Sequence, residues 1–190
     1  MHNAYSMTSV LITYFVHGTT TDNEQGRATG WRSGELSELG KRQSMRLRDL
    51  TADRRFDVVF CSDLKRAVNT AKLAFEGRFP IVRDKRLREC NYGEMTGESS
   101  ERVEMVQFDR ISVPFPRGES YKDVERRMRE FLDELLRNYE GKYVAIVSHK
   151  APQLALDVII AGKSWGQAMH DDWRRTGAWK PGWDYKFVGR

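Results

Sequence analysis

Three strand-length runs rich in apolar residues punctuate the chain, at residues 10–16, 57–61 and 143–147. They are continuous rather than alternating, the pattern of parallel strands covered on both faces. Each is followed by a polar residue and then by helical or loop sequence. Between them apolar residues recur at helical spacing. Over 36–50 the apolar positions are Leu36, Leu39, Leu47 and Leu50, with Ser37 as the cap. Over 62–75, Leu64, Ala67, Val68, Ala71, Ala74 and Phe75 share one face, and Ser62 is placed to cap it. The clearest helix covers 121–139. Its stripe is Val124, Met128, Phe131, Leu132, Leu135, Leu136 and Tyr139; Ser120 with Asp123 resembles a capping box, and Gly141 ends the run. A fourth, 152–161, begins with proline where proline is tolerated, in the first turn.

Strands alternating with helices predict an α/β three-layer sandwich, a mostly parallel central sheet flanked by helices. With no internal repeat and no low-complexity linker, 1–190 reads as a single domain. Residues 84–118 are irregular, with one predicted helix over 99–108, and form a cap-like insertion over a site. The C-terminal segment, 163–190, holds Trp165, Trp173, Trp179 and Trp183 among glycines and charges. So many tryptophans predict an ordered tail packed on the body, ending in a short edge strand over 185–188.

Composition narrows the function. Apolar residues make up 39% and charged residues 31% of the chain, ordinary values for a globular protein. No apolar run approaches the length of a membrane helix. The opening residues lack the basic segment and cleavage site of a secretion signal, and Met7 is a second candidate start, so a cytoplasmic protein is expected. His2 is expected in a frayed terminus. Cys61 and Cys90 are read as two free thiols in a reduced compartment rather than a disulfide framework or a metal pair. The net charge of +5 suits an anionic ligand but is spread along the chain. Arg32, Lys41, Arg42, Arg46 and Arg48 read as a solvated helix face, and nothing resembles a nucleic-acid module.

Ligands of open α/β sheets bind beyond the carboxyl ends of the strands. After the first predicted strand stand His17 and Gly18; after the second, Ser62 and Asp63, with Arg66 one turn into the helix; after the third, Ser148 and His149. Two imidazoles and a guanidinium on one rim suit a phosphoryl group. Arginine offers paired planar donors to phosphate oxygens, and a neutral histidine is both nucleophile and leaving group at phosphorus. A zinc site is disfavoured, because it needs three or four ligands and the arginine opposes a cation. No cofactor is expected. His170, among Asp171, Asp172 and Arg174, reads as an exposed partner of those charges.

These residues also carry a family resemblance. His17-Gly18-Thr19-Thr20 with Asn23, Gly26-Arg27 and Thr29-Gly30-Trp31 resembles the first motif of the histidine phosphatase superfamily, which includes cofactor-dependent phosphoglycerate mutases. Four further motifs follow in the family's order: Cys61 to Ala67 with Thr70; Leu87-Arg88-Glu89 running to Tyr92-Gly93-Glu94 and Gly97; Gly118-Glu119-Ser120; and Val147-Ser148-His149. The resemblance implies a phosphoglycerate mutase-like fold and a set of roles. His17 is the nucleophile that becomes phosphohistidine, and Arg66 and His149 bind the phosphoryl oxygens. Asn23 hydrogen-bonds phosphate, and Thr29 with Gly30 line the substrate side. Glu89 protonates the departing oxygen and then activates water. Some members carry the acid directly after the second histidine; Lys150 stands there in this chain, so Glu89 is the candidate. Read without the motif, Glu89 would be a surface partner of Arg86 or Arg88.

One departure matters. The family places an arginine directly before the nucleophilic histidine, and this chain has Val16. Losing such a contact costs on the order of 2.7–4 kcal/mol, by analogy with a lost oxyanion donor. Arg27 and Lys150 are the candidates to fill the gap; the alternatives are a slow enzyme or a pseudoenzyme that only binds a phosphorylated ligand. Retention of a proton donor argues for an active enzyme. The short 97–118 segment and the absence of an arginine beside Glu89 tilt the expectation from mutase to metal-independent phosphatase. The expected substrate is a small phosphorylated metabolite, with no nucleic-acid or membrane partner; oligomeric state is left open.

Overall fold

The computed structural model describes residues 8–176, 180 and 182–189. In chain order the elements are β1 (Ser9–Val16), α1 (Thr21–Glu24), α2 (Glu38–Leu50), β2 (Val58–Cys61), α3 (Lys65–Phe75), β3 (Ile81–Arg83), α4 (Ser100–Val106), α5 (Tyr121–Asn138), β4 (Tyr143–Ser148), α6 (Lys150–Ile159), α7 (Trp165–His170) and β5 (Trp183–Val188). Short 3-10 turns occur at Lys85–Leu87, Gly93–Met95 and Trp173–Thr176. The sheet order is β3-β2-β4-β1-β5. The pairs β1–β4, β2–β4 and β2–β3 are parallel, and β5 closes the far edge antiparallel to β1. This is the expected α/β sandwich with a mostly parallel sheet. Among the described residues no helix is long and apolar enough to cross a membrane.

The continuous apolar runs are explained by burial on both faces. Ile12, Tyr14, Val58, Phe60, Val144 and Ile146 pack on one side with Val124, Met128, Phe131 and Leu132 of α5 and with α6. Their strand neighbours Phe15, Val59, Cys61, Ala145 and Val147 pack on the other with Val68, Ala71, Ala74 and Phe75 of α3 and Leu47 of α2. Successive residues of a strand thus enter opposite clusters, and neither set can be polar.

Helix α5 carries the capping box formed by Ser120 and Asp123. The Ser37 hydroxyl accepts from the Gly40 N–H at the start of α2. The inner face of α2 is Gly40, Ser44 and Leu47, while Leu39 and Leu50 are exposed. Close approach is the reason: a Cβ built on Gly40 would lie 1.9 Å from the Thr19 carbonyl oxygen. Ser62 does not cap α3. Its hydroxyl accepts from the Leu64 N–H at 3.2 Å, and the helix starts at Lys65 without a side-chain cap. Helix α6 begins two residues ahead of Pro152, at Lys150, with His149 as its N-cap. The edge strand β5 starts at Trp183, before the expected 185. Strand β3, short and largely exposed, was not anticipated.

Residues 84–118 contain the expected helix, shortened to α4 with Ser99 as N-cap. This segment also sends Leu87, Cys90, Tyr92, Val103 and Phe115 into the larger core cluster. Cys61 and Cys90 are both free and buried. In the C-terminal segment, the buried Trp165 indole donates to Glu125 Oε2 at 2.7 Å, and Trp183 meets Trp173 with ring centroids 5.6 Å apart. Trp179, His2 and Met7 lie outside the described residues.

Candidate active site

A cleft of about 340 Å³ lies at the carboxyl end of β1, lined among others by Val16, His17, Arg66, Glu89 and Lys150. His17 continues the ladder one residue past β1, its N–H donating to Ser148 O at 3.0 Å. The turn behind it is clamped. Gly18 N–H donates to Thr70 Oγ1 at 3.0 Å, Thr70 Oγ1 donates to Arg66 O at 2.9 Å, and the Thr19 N–H and hydroxyl both donate to Gln43 Oε1. A Cβ on Gly18 would stand 2.4 Å from Gly40 O, so only glycine fits there.

The hydrogen bonds fix the His17 tautomer. Nδ1 lies 2.7 Å from Gly18 O; a carbonyl only accepts, so Nδ1 carries the proton. Nε2 is then the lone-pair nitrogen, and it accepts from Arg66 Nε at 3.2 Å. Burial, with the charge of Arg66 behind it, pushes the His17 pKa from 6.5 down to about 3. A neutral imidazole with Nε2 unprotonated is the form that attacks phosphorus.

Arg66, in the first turn of α3, is buried. Besides His17 it donates from Nη1 to Arg32 O at 3.1 Å and from Nη2 to Gly30 O at 2.7 Å. Among the described residues no carboxylate lies within ion-pair distance of it. A buried guanidinium without a carboxylate is costly unless an anion joins it. His149 is also fully buried, its ring 5.0 Å from that of His17 between centroids. Its backbone is locked: Tyr14 OH donates to His149 O at 2.6 Å, and His149 N–H donates to Tyr14 OH at 3.0 Å. Neither ring nitrogen has a hydrogen-bond partner among the described residues. Burial, with Arg66 and His17 adding to it, holds its pKa well below the ordinary value.

Glu89 is buried at the start of α6. Its Oε1 accepts from Cys90 N at 2.8 Å and Ala151 N at 3.0 Å, and Oε2 from Lys150 N at 3.1 Å. Arg88 instead forms a bidentate pair with Asp63 at 2.7 and 2.6 Å, and Arg86 pairs with Asp84 and Glu134. The surface ion pair with either arginine is therefore not formed.

Asn23, Thr29 and Gly30 all line the cleft. Asn23 Oδ1 accepts from Thr20 N at 3.0 Å in a capping box, which leaves its amide NH₂ for a ligand. The Thr29 hydroxyl is buried and unpartnered among the described residues. Gly30 has φ +51°, and besides lining the cleft its carbonyl anchors Arg66. Sequence reasoning missed Trp173, Arg174 and Lys180, which the C-terminal segment brings to the same cleft. Nor is Asp172 a surface partner of His170: it is buried and pairs with Lys150 at 3.1 Å and Arg174 at 2.7 Å. Among the described residues no three carboxylate, imidazole or thiol side chains gather as a metal site would require, and the guanidinium beside His17 opposes a cation.

A half-buried and a buried histidine beside a buried guanidinium, at the carboxyl ends of parallel strands, are the arrangement expected of a histidine phosphatase. The chain belongs to the histidine phosphatase superfamily, branch 1, whose family model matches residues 14–175. Phosphoserine phosphatase 1 of Hydrogenobacter thermophilus is 29% identical over 156 residues, covering 77% of this chain and 74% of the relative. A 2,3-bisphosphoglycerate-dependent phosphoglycerate mutase of Methylorubrum extorquens is 31% identical over 162 residues, covering 77% and 76%. Among solved structures, YhfR of Bacillus stearothermophilus superposes with a TM-score of 0.75 at 27% identity, covering 84% of this chain and 83% of that one. Mycobacterial glucosyl-3-phosphoglycerate phosphatase Rv2419c, in a complex with VO3, superposes with a TM-score of 0.74 at 26% identity, covering 84% and 86%.

Proposed function

We propose that this chain is a metal-independent phosphatase that hydrolyses a small phosphomonoester through a phosphohistidine on His17. The observation that carries the reading is the His17 tautomer. Its Nδ1–H is tied to Gly18 O and its Nε2 lone pair sits beside Arg66. In the first step Nε2 attacks phosphorus, the ester P–O bond breaks, and Glu89, having taken the proton of the monoanionic phosphomonoester, gives that proton to the departing oxygen. In the second, Glu89 takes a proton from water, which attacks phosphohistidine and releases inorganic phosphate. Arg66 and His149 carry the charge on the phosphoryl oxygens; the unpartnered His149 ring fits that task. Asn23 hydrogen-bonds the phosphate, and Thr29 with Gly30 line the substrate side of the pocket. Residues 84–118 act as the cap of a single domain, giving Glu89, Tyr92, Val103 and Glu104 to the cleft. With two free thiols and no disulfide assigned, a cytoplasmic setting suits it.

The relative from Methylorubrum extorquens favours a second reading, mutase-type transfer between two positions of a phosphoglycerate. Steady-state hydrolysis of p-nitrophenyl phosphate with EDTA present tests the first reading, with rapid acid-free quenching to trap phosphohistidine. Activity that survives EDTA and disappears in His17→Ala supports it. Hydrolysis retained by His17→Ala refutes it, and isomerisation of phosphoglycerate stimulated by a bisphosphate primer would establish the second.

A further inference from the structure

The nucleophile faces a shortage of donors. A phosphoryl group in transfer spreads its charge over three equatorial oxygens. Arg66 reaches them with only part of its fork, because Nε, Nη1 and Nη2 each already donate to a protein acceptor. Val16, which lines the cleft immediately before His17, offers no donor. Of the two cations first considered for this gap, Lys150 is held by Glu104 at 3.3 Å and Asp172 at 3.1 Å, and Arg27 is an exposed residue of the mouth.

Arg174 is placed differently. The 3-10 turn Trp173–Thr176 carries it to the cleft, where it lines the same space as His17, Arg66 and Glu89. Its Nη1 donates to Asp172 Oδ1 at 2.7 Å, and its guanidinium lies over the Trp173 ring, 4.9 Å from the centroid. Its Nη2 is buried and has no hydrogen-bond partner among the described residues. A guanidinium oriented by a buried carboxylate and an indole, with one nitrogen left over, is preorganised for an anion. Its charge is also felt at His17, where it opposes protonation.

We propose that Arg174 is a phosphoryl-binding residue, delivering from the C-terminal segment the guanidinium that the strand end lacks at Val16. The proposal rests on the phosphatase reading above. Asp172 is its positioning residue, shared with Lys150 of α6, which Glu104 also holds.

The test compares the parent protein with Arg174→Ala, Arg174→Lys, Val16→Arg and the double variant Val16→Arg/Arg174→Ala. Turnover of p-nitrophenyl phosphate is measured together with calorimetric binding of orthovanadate. Arg174→Ala should lower kcat/KM by about 10²–10³-fold, the range for loss of one charge-stabilising donor, and weaken orthovanadate binding at least tenfold. Val16→Arg should recover at least tenfold of the lost kcat/KM in the Arg174→Ala background and have a clearly smaller effect in the parent. Arg174→Ala within twofold of the parent in both readouts would overturn the proposal, as would an equal effect of Val16→Arg in both backgrounds. If Arg174→Ala does not fold, Arg174→Lys decides: it keeps a charge for Asp172 but removes the forked second nitrogen. A fivefold or larger loss of orthovanadate affinity at unchanged Tm supports the role, and no loss refutes it. A parent that turns nothing over defeats the phosphatase reading alone, because orthovanadate binding still reports on Arg174.

Discussion

Replacing Glu89 by glutamine separates what this side chain does for the fold from what it does for the reaction. The carboxylate accepts from Cys90 N and Ala151 N through Oε1 and from Lys150 N through Oε2. Glutamine retains the first two bonds on its oxygen and sets an NH₂ against the Lys150 N–H, donor facing donor. One bond to a charged group is lost, about 1.5–3 kcal/mol. The negative charge at the N-terminus of α6 goes with it, about 0.3–1 kcal/mol. Together these predict a destabilisation of about 2–4 kcal/mol, read as a fall in Tm at a rate of roughly 2–4 °C per kcal/mol for a chain of this size. The chemical loss has a different signature. General acid catalysis contributes about 10²–10⁴-fold where the leaving oxygen needs a proton, so kcat/KM for an alkyl phosphate should fall by that factor. Nitrophenolate departs unaided, so kcat/KM for p-nitrophenyl phosphate should fall far less. Because kcat/KM reports only steps up to departure of the alcohol, slow hydrolysis of phosphohistidine does not blur the comparison; it appears as a nitrophenolate burst. An equal loss of kcat/KM for both substrates would refute the proton-donor role and leave Glu89 as a helix anchor.

Three further outcomes follow from the same geometry. The folded protein holds the His17 pKa at about 3 against an ordinary 6.5, so the unfolded chain binds more protons between those values. Stability should therefore be complete above about pH 6.5 and decline as pH falls towards 3; urea midpoints at pH 7.5 and 5 should differ less in His17→Gln, and an unchanged difference would show that His17 is not the linked group. Gly40→Ala forces a Cβ to within 1.9 Å of Thr19 O, an overpacking of about 1–3 kcal/mol delivered to the turn that carries His17, so Tm and kcat should drop together; a variant with parental values of both would show that α2 yields freely. Thr70→Val leaves the Gly18 N–H without its acceptor, costing about 1–3 kcal/mol in thermal or urea unfolding, whereas Thr70→Ser should remain near parental.

The parts legible in the sequence were those where a physical demand leaves a mark on residue type. Strands β1, β2 and β4 are buried on both faces over most of their length, and their buried positions are apolar except for Thr13 and Ser148. Of the motif residues, His17, Arg66 and Glu89 line one cleft, while His149 is fully buried and does not line it, its ring centroid 5.0 Å from that of His17. The inner face of α2 was misjudged because Gly40 and Ser44 pack by close approach rather than by hydrophobicity. Strand β3 has two exposed residues of three and leaves no apolar run. Arg174 had no readable signal: its placement depends on how the chain turns between α7 and β5, and an arginine among other charges resembles any surface.

The sheet order has a consequence for how the protein acquires its activity. Strand β1 lies between β4 and β5, with Leu11 opposite Tyr143 on one side and Lys186 on the other. Both neighbours of the first strand thus come from the distant end of the chain, and pairing them requires a long loop to close before any contact rewards it. The strand that bears His17 cannot assemble with β2 or β3, and His17 meets Ser148 only when β1 docks on β4. During refolding the helices can form early while the nucleophile still hangs on an unpaired segment. Return of turnover, timed against return of the far-ultraviolet signal, is therefore a clock for insertion of the first strand.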